Sequence, residues 1–220
     1  MIAPAVSGLP LQWERVSFAY EGGADVVRGV SLAIAGGESV ALVGPNGAGK
    51  TTLTRMAMGL VRPWAGLVTV GNWDVSTKRP DQMAARVGYA FQHADQQLFA
   101  RSVGEDVAFG PRQLGRSDAA VPAVLEELAL TAYAAVHPYD VSASVRKVVA
   151  LAGVLAMQPA VLILDEPTAG LDREMRGRVV GALRRRRDEG ITVITISHDR
   201  AFIGEMAQRV VTMKEGRITE

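Results

Sequence analysis

Apolar and polar positions alternate near the start of the chain and then give way to longer apolar runs. WERVSFAY (13–20) and VSLAI (30–34) read as short strands on either side of a glycine turn at Gly22 and Gly23. SVALVG (39–44), AVLILD (160–165) and ITVITIS (191–197) are nearly unbroken apolar runs, as expected of strands buried on both faces. RVGYAF (86–91) adds another strand, the stretch 59–75 is β-rich with turn residues inside it, and 209–218 closes with strands. Helical spacing predicts helices over 51–60, 173–189 and 199–208. It also dominates 102–157, where AAVPAVLEELAL and VRKVVALAGVLAM stand between proline and glycine breaks. Strands alternating with helices imply an α/β fold with a mixed, mainly parallel sheet, an N-terminal antiparallel β region and an inserted helical subdomain. The expected organisation is one domain over 1–220. Residues 11–91 and 160–220 form its core lobe, 92–159 the helical part, and the first ten residues a loose lead-in.

Composition narrows the function classes. The 220 residues carry 24 basic and 23 acidic side chains, so the net charge of +1 offers no global attraction for nucleic acid. The one basic run, Arg184 to Arg187, lies in a polar helical pattern and reads as a solvated face rather than a phosphate-binding patch. The longest apolar run, VVALAGVLAM (148–157), is far short of the roughly 20 residues a membrane span needs. No basic and apolar leader is evident at the start. The absence of cysteine excludes disulfides and thiolate metal sites.

The most specific chemistry lies in GPNGAGKTT (44–52), which fits G-x-x-x-x-G-K-[ST] at Gly44, Gly49, Lys50 and Thr51. Glycines at Gly44, Gly47 and Gly49 let the backbone, with Pro45, Asn46 and Ala48 between them, wrap closely around phosphate oxygens. Lys50 supplies a point charge near the β- and γ-phosphates, and the Thr51 hydroxyl suits Mg²⁺. Thr52 continues the helix whose first N–H groups meet the anion. A buried strand before the loop and a helix after it complete a P-loop NTPase core.

VLILDEP sets Asp165 and Glu166 at the carboxyl end of a buried strand, where ligands of open α/β sheets lie. One carboxylate suits Mg²⁺ and the next can polarise a water, roles expected of Asp165 and Glu166 respectively. His198, at the end of another buried strand, is placed for the γ-phosphate. Gln92 ends the strand 86–91, where its amide would reach Mg²⁺ or the attacking water; taken alone it is hardly distinct from a polar loop residue. Tyr20 would offer a face to adenine, or else pack in the core.

In this order and spacing the elements resemble the ATPase subunit of ATP-binding-cassette (ABC) transporters, over about residues 11–218. The resemblance rests on Tyr20, the phosphate loop, Gln92, the DEP segment, the loop AGLD ending at Asp172, and His198. It implies ATP and Mg²⁺, and two such subunits facing head to tail, each ATP lying between one subunit's phosphate loop and the other's signature motif. FQHADQQLFA (91–100), SVGEDVAFGPRQLG (102–115) and PTAGLD (167–172) are similar to the energy-coupling-factor group, which drives import of vitamins and of cobalt or nickel ions. That likeness implies a membrane coupling subunit, a substrate-binding membrane component, and a peripheral place on the cytoplasmic face of the membrane. Gln97, Leu98 and Phe99 would face the coupling subunit or, alternatively, pack the two lobes together.

The chain departs from the pattern at the signature, where LSGGQ is expected and VSASV (141–145) stands. Ser142 survives as helix cap and phosphate neighbour. Ala143 and Ser144 add Cβ atoms where glycines are expected, and Val145 cannot hydrogen-bond through its side chain. That segment serves the opposite subunit's nucleotide, so the expectation is an asymmetric heterodimer in which this chain's own phosphate loop meets a sound partner signature. Alternatives are a largely structural nucleotide-binding subunit with weak hydrolysis, and a soluble non-transport ABC ATPase.

Overall fold

The computed structural model describes residues 7–94 and 97–219. Strand β1 (Leu11–Ala19) pairs antiparallel with β2 (Asp25–Ile34). The first strand of the larger sheet, β3 (Ser39–Val43), leads into α1 (Lys50–Met56). Then follow β4 (Ala65–Val70), which pairs with β1, and the short β5 (Trp73–Asp74). The four strands form one antiparallel sheet in the order β2-β1-β4-β5. Both early strands extend further than the apolar pattern implied, because cross-strand hydrogen bonds hold polar positions such as Gln12 and Asp25 in register. A bulge at Arg15, with φ of 48°, lets Trp13 and Val16 both turn inward.

The larger sheet is built on the apolar runs. After α2 (Pro80–Met83) come β6 (Val87–Ala90) and the helices α3 (Val103–Gln113), α4 (Val121–Glu127) and α5 (Ala143–Ala156). The chain continues through β7 (Val161–Asp165), α6 (Arg173–Asp188), β8 (Thr192–Ile196), α7 (Arg200–Met206), β9 (Arg209–Lys214) and β10 (Arg217–Ile218). The order is β10-β9-β3-β8-β7-β6, parallel from β9 to β6, with β10 antiparallel at the edge. Expected fold class and observed architecture agree.

The central strands separate two apolar clusters, and β7 serves both by alternation. Val161 and Ile163 join the cluster under the antiparallel sheet, with Trp13, Leu53 and Met213. Leu162 and Leu164 join the other, where Val107, Val148 and Leu155 of the inserted helices meet Leu183 of α6 and Phe202 of α7. The inserted helices therefore pack on the sheet's flank through a shared core. Trp13 also donates from Nε1 to Leu53 O at 3.1 Å, tying the antiparallel sheet to the helix that follows the phosphate loop.

Three expectations need correction. Helix α1 stops at Met56 rather than reaching residue 60, because Gly59 turns left-handed (φ 67°) and Leu60 N closes back on Arg55 O. The lead-in is not loose where it is described: Gly8 N donates to Gly190 O, and Leu9 O accepts from the Thr192 hydroxyl. Residues 1–6 of that expectation lie outside the described residues. The basic run is not simply a solvated face. Arg184 pairs with Glu205, Arg185 and Arg186 with Glu127 of α4, and Arg187 with Asp188. Among the described residues, no helix is long and apolar enough to cross a membrane.

Candidate nucleotide site

The loop from Gly44 to Gly49 leaves β3 at its carboxyl end and enters α1. Gly44, Gly47 and Gly49 all have positive φ, of 141°, 77° and 98°, which side chains disfavour. A Cβ at Gly44 would collide with Met213 O, and one at Gly49 would stand 2.5 Å from Val26 O. The glycines are thus required both by backbone shape and by neighbouring strands. Pro45, Asn46 and Gly47 are exposed at the tip, whereas Ala48 and Gly49 are buried.

Lys50 is buried and donates from Nζ to Gly44 O at 2.7 Å and Pro45 O at 2.9 Å, so its ammonium lies under the loop. Burial lowers its pKa, and Asp165 and Glu166 oppose that shift. Thr51 Oγ1 donates to Asp165 Oδ2 at 2.9 Å, joining α1 to the end of β7. Burial raises the pKa of Asp165, against the Thr51 hydrogen bond and the charges of Arg55, Lys50 and Lys147. Tyr20 OH lies 3.2 Å from Thr52 Oγ1, and its ring is half exposed and packs edge-on against Phe18. It therefore borders the loop rather than filling the core.

Glu166 follows β7 with φ of 51°. Its N–H donates to Ile196 O at 2.8 Å, Oε2 accepts from Ser197 Oγ at 3.2 Å, and Oε1 accepts from His198 N at 3.0 Å. His198 Nε2 stands 3.8 Å from Oε1, on an exposed ring. Parallel pairing of β7 with β8 brings these groups together, since Asp165 is in register with Ile196. Thr51 and Asp165 offer two hard oxygen donors, a set that fits Mg²⁺ completed by phosphate and water rather than an all-protein cage.

The remaining expected residues lie apart from this cluster. Gln92 is exposed just past β6, and no hydrogen bond holds its side chain among the described residues. Ser142 caps α5, accepting from Val145 N at 3.3 Å, and shares a 3.0 Å hydrogen bond with Ser144. Asp172 caps α6 by accepting from Met175 N at 2.8 Å. Of Gln97, Leu98 and Phe99, only Phe99 turns outward. Gln97 braces the loop by accepting from Phe91 N and donating to Tyr89 O, and Leu98 is buried. Two residues escaped sequence reasoning. Ser197 was masked by its place in an apolar run, although a hydroxyl at the end of a buried strand is a usable signal. Lys147, on α5, donates from Nζ to Glu166 O at 2.8 Å and to Ala169 O at 2.9 Å. Nothing in its helical surroundings signals that contact.

Phe99 meets Phe109 edge-on at 4.6 Å on the rim of a groove of about 510 Å³, which Leu114, Val154 and Met157 also line. Asp106 lies in its wall. Its Oδ1 accepts from Phe99 N and Ala100 N, while the buried Oδ2 has no hydrogen-bond partner among the described residues.

Residues 27–169 match the family model described as ABC transporter. The chain is 39% identical, over 92% of its length, to the energy-coupling factor transporter ATP-binding protein EcfA of Methanothermobacter thermautotrophicus, of which it covers 67%. It is 41% identical, over 93% of its length, to the cobalt import ATP-binding protein CbiO of Rhodobacter capsulatus, covering 75% of that protein. Its share of other relatives of similar identity is smaller, 34% and 26%. Among solved structures, cbiO1 from Clostridium perfringens, part of the ABC transporter complex cbiONQ, superposes with a TM-score of 0.82 at 33% identity, over 96% of this chain and 86% of that one.

Proposed function

The chain belongs to the ABC transporter family as an ATPase subunit, and from that premise we propose that it powers a membrane importer of the energy-coupling-factor type. The cargo would be a vitamin or a transition-metal ion, as the cobalt import ATP-binding protein among its relatives suggests. The observation that carries the ATPase part of this reading is a set of three hydrogen bonds: Thr51 to Asp165, and both Ser197 Oγ and His198 N to the carboxylate of Glu166.

The site residues divide the work. The glycine loop and Lys50 hold the β- and γ-phosphates of ATP, Tyr20 faces the adenine, and Thr51 with Asp165 would hold Mg²⁺, with Gln92 joining them. When bound, the ion neutralises phosphate charge. Glu166 orients and deprotonates the attacking water, fixed in aim by Ser197 and by the His198 backbone, while the His198 ring reaches the γ-phosphate. Glu166→Gln is expected to keep Mg-ATP binding and to slow turnover by about 10²–10⁴-fold. Equal turnover by the variant in a phosphate-release assay would remove Glu166 from this role.

The signature segment supports asymmetry. Ser142 is engaged by Ser144, and Val145 is buried instead of offering an amide. A second ATPase subunit with an intact signature would complete this chain's own site, across an interface that also includes Asp172, while the site completed by VSASV stays weak. The groove beside Phe99 and Phe109, with apolar walls, suits a coupling element of a membrane subunit, which in turn joins a substrate-binding membrane component. The chain would thus sit peripherally on the cytoplasmic face. Against a nucleic-acid partner stands the basic run itself, since Arg184 to Arg187 are engaged in ion pairs.

A further inference from the structure

Glu166 holds a backbone conformation that non-glycine residues rarely adopt, and such a conformation persists only where surrounding contacts over-determine it. Three of its tethers come from one segment of the core, through Ile196 O, Ser197 Oγ and His198 N. The fourth comes from the inserted helices. Lys147 Nζ accommodates the carbonyls of both Glu166 and Ala169, pinning the two ends of the turn that Ala169 N closes on Glu166 O at 3.3 Å. An ammonium has three donors and can serve two carbonyls at once. The neighbours of Lys147 are otherwise engaged: Arg146 donates to Val141 O, and Val148 is buried.

Lys147 lies five residues from the cap Ser142 on the same continuous helix, a rise of about 8 Å. Any tilt of the α5 N-terminus therefore reaches the backbone of Glu166 through one rigid element and one side chain. We propose that Lys147 is a positioning residue that couples the seating of the α5 N-terminus, on the partner subunit's nucleotide, to the aim of the Glu166 carboxylate in this chain's own site. The inference rests on the reading of Glu166 as the base. It adds a communication route by which one composite site reports to the other.

The test compares Lys147→Met, Lys147→Gln and Lys147→Arg in the full chain. Amide exchange across residues 168–171 is read by mass spectrometry, and single-turnover cleavage of Mg-ATP is measured with protein in excess. Lys147→Met should speed exchange in that turn by about tenfold with little change in melting midpoint. It should slow cleavage by about ten- to a hundred-fold while Mg-ATP affinity stays within about twofold. Lys147→Arg, which keeps a cation with donors for both carbonyls, should recover most of the rate, and Lys147→Gln should fall between. In a Glu166→Gln background, Lys147→Met should cause no further loss. A wild-type cleavage rate, unchanged exchange, or an equal additional loss in the Glu166→Gln background would each overturn the proposal. Should Lys147→Met fail to fold, Lys147→Gln decides by the same readouts. If Glu166→Gln alone cleaves ATP normally, the reading of the base fails, while the exchange measurement still judges the tether.

Discussion

The phosphate loop and the segment 141–145 are both helix beginnings, yet the structure constrains them to opposite degrees. At 44–52 the backbone has no freedom: three residues need positive φ, and Met213 O and Val26 O leave no space for side chains at Gly44 and Gly49. At 141–145 the helix cap is retained, with Ser142 accepting from Val145 N, although both following glycines and the polar fifth residue are replaced. The first region is packed against strands of its own subunit, so a change there disturbs the fold as well as the ligand. The second is exposed at Ser142 and Ala143, so its chemistry can drift while α5 remains well packed through Val148, Leu151 and Leu155. Local packing thus constrains the phosphate loop and leaves the exposed start of α5 free to change.

The sharpest way to break the contrast is Lys50→Ala, which removes the ammonium beneath the loop. Turnover should fall by about a hundred- to a thousand-fold, the scale of losing one transition-state donor, as read by phosphate release. An effect below about threefold would place the phosphate contacts elsewhere. A gain is expected on the other side. Ala143→Gly, Ser144→Gly and Val145→Gln together restore close approach and a polar side chain, and should raise turnover by the chain assayed alone by about tenfold or more. No gain would mean that the signature is not what limits that site.

The smallest effect concerns stability. Burial holds the Asp165 pKa above the ordinary carboxylate value, so its contribution to stability is present below the unfolded value and is lost as pH rises through the folded one. At neutral pH the ionised, buried group is therefore a net liability to the nucleotide-free fold. Asp165→Asn should raise the melting midpoint by a few degrees at pH 7 and lose that advantage in acid, whereas Mg-ATP turnover should drop. A lower midpoint at neutral pH would show that the charged hydrogen bond with Thr51 outweighs burial.

Different parts of the site were unequally legible. Lys50, Thr51, Asp165 and Glu166 stand in short spacings whose geometry follows from a strand, a glycine turn and a helix, and they do converge. His198 also joins them, although through its backbone N–H as much as its ring. Gln97, expected either to face a coupling subunit or to pack the lobes together, braces β6 from the loop through both ends of its amide and also lines the groove beside Phe99. The arginine run could not be resolved from spacing, since its acidic partners Glu127 and Glu205 lie on other helices.

By itself the order of apolar runs, turns and the G-x-x-x-x-G-K-T loop determined the α/β core, the inserted helices and the phosphate cradle, because the apolar period and the turn chemistry that select each of these elements are set by residues close in the chain. Only the tertiary structure decided that Lys147 grips the turn after Glu166, that Ser197 steadies its carboxylate, and that α4 is clipped to α6 through Glu127. Each of those contacts joins groups far apart in sequence, and a long flexible side chain has many possible partners until packing of the helices against the sheet leaves one within reach.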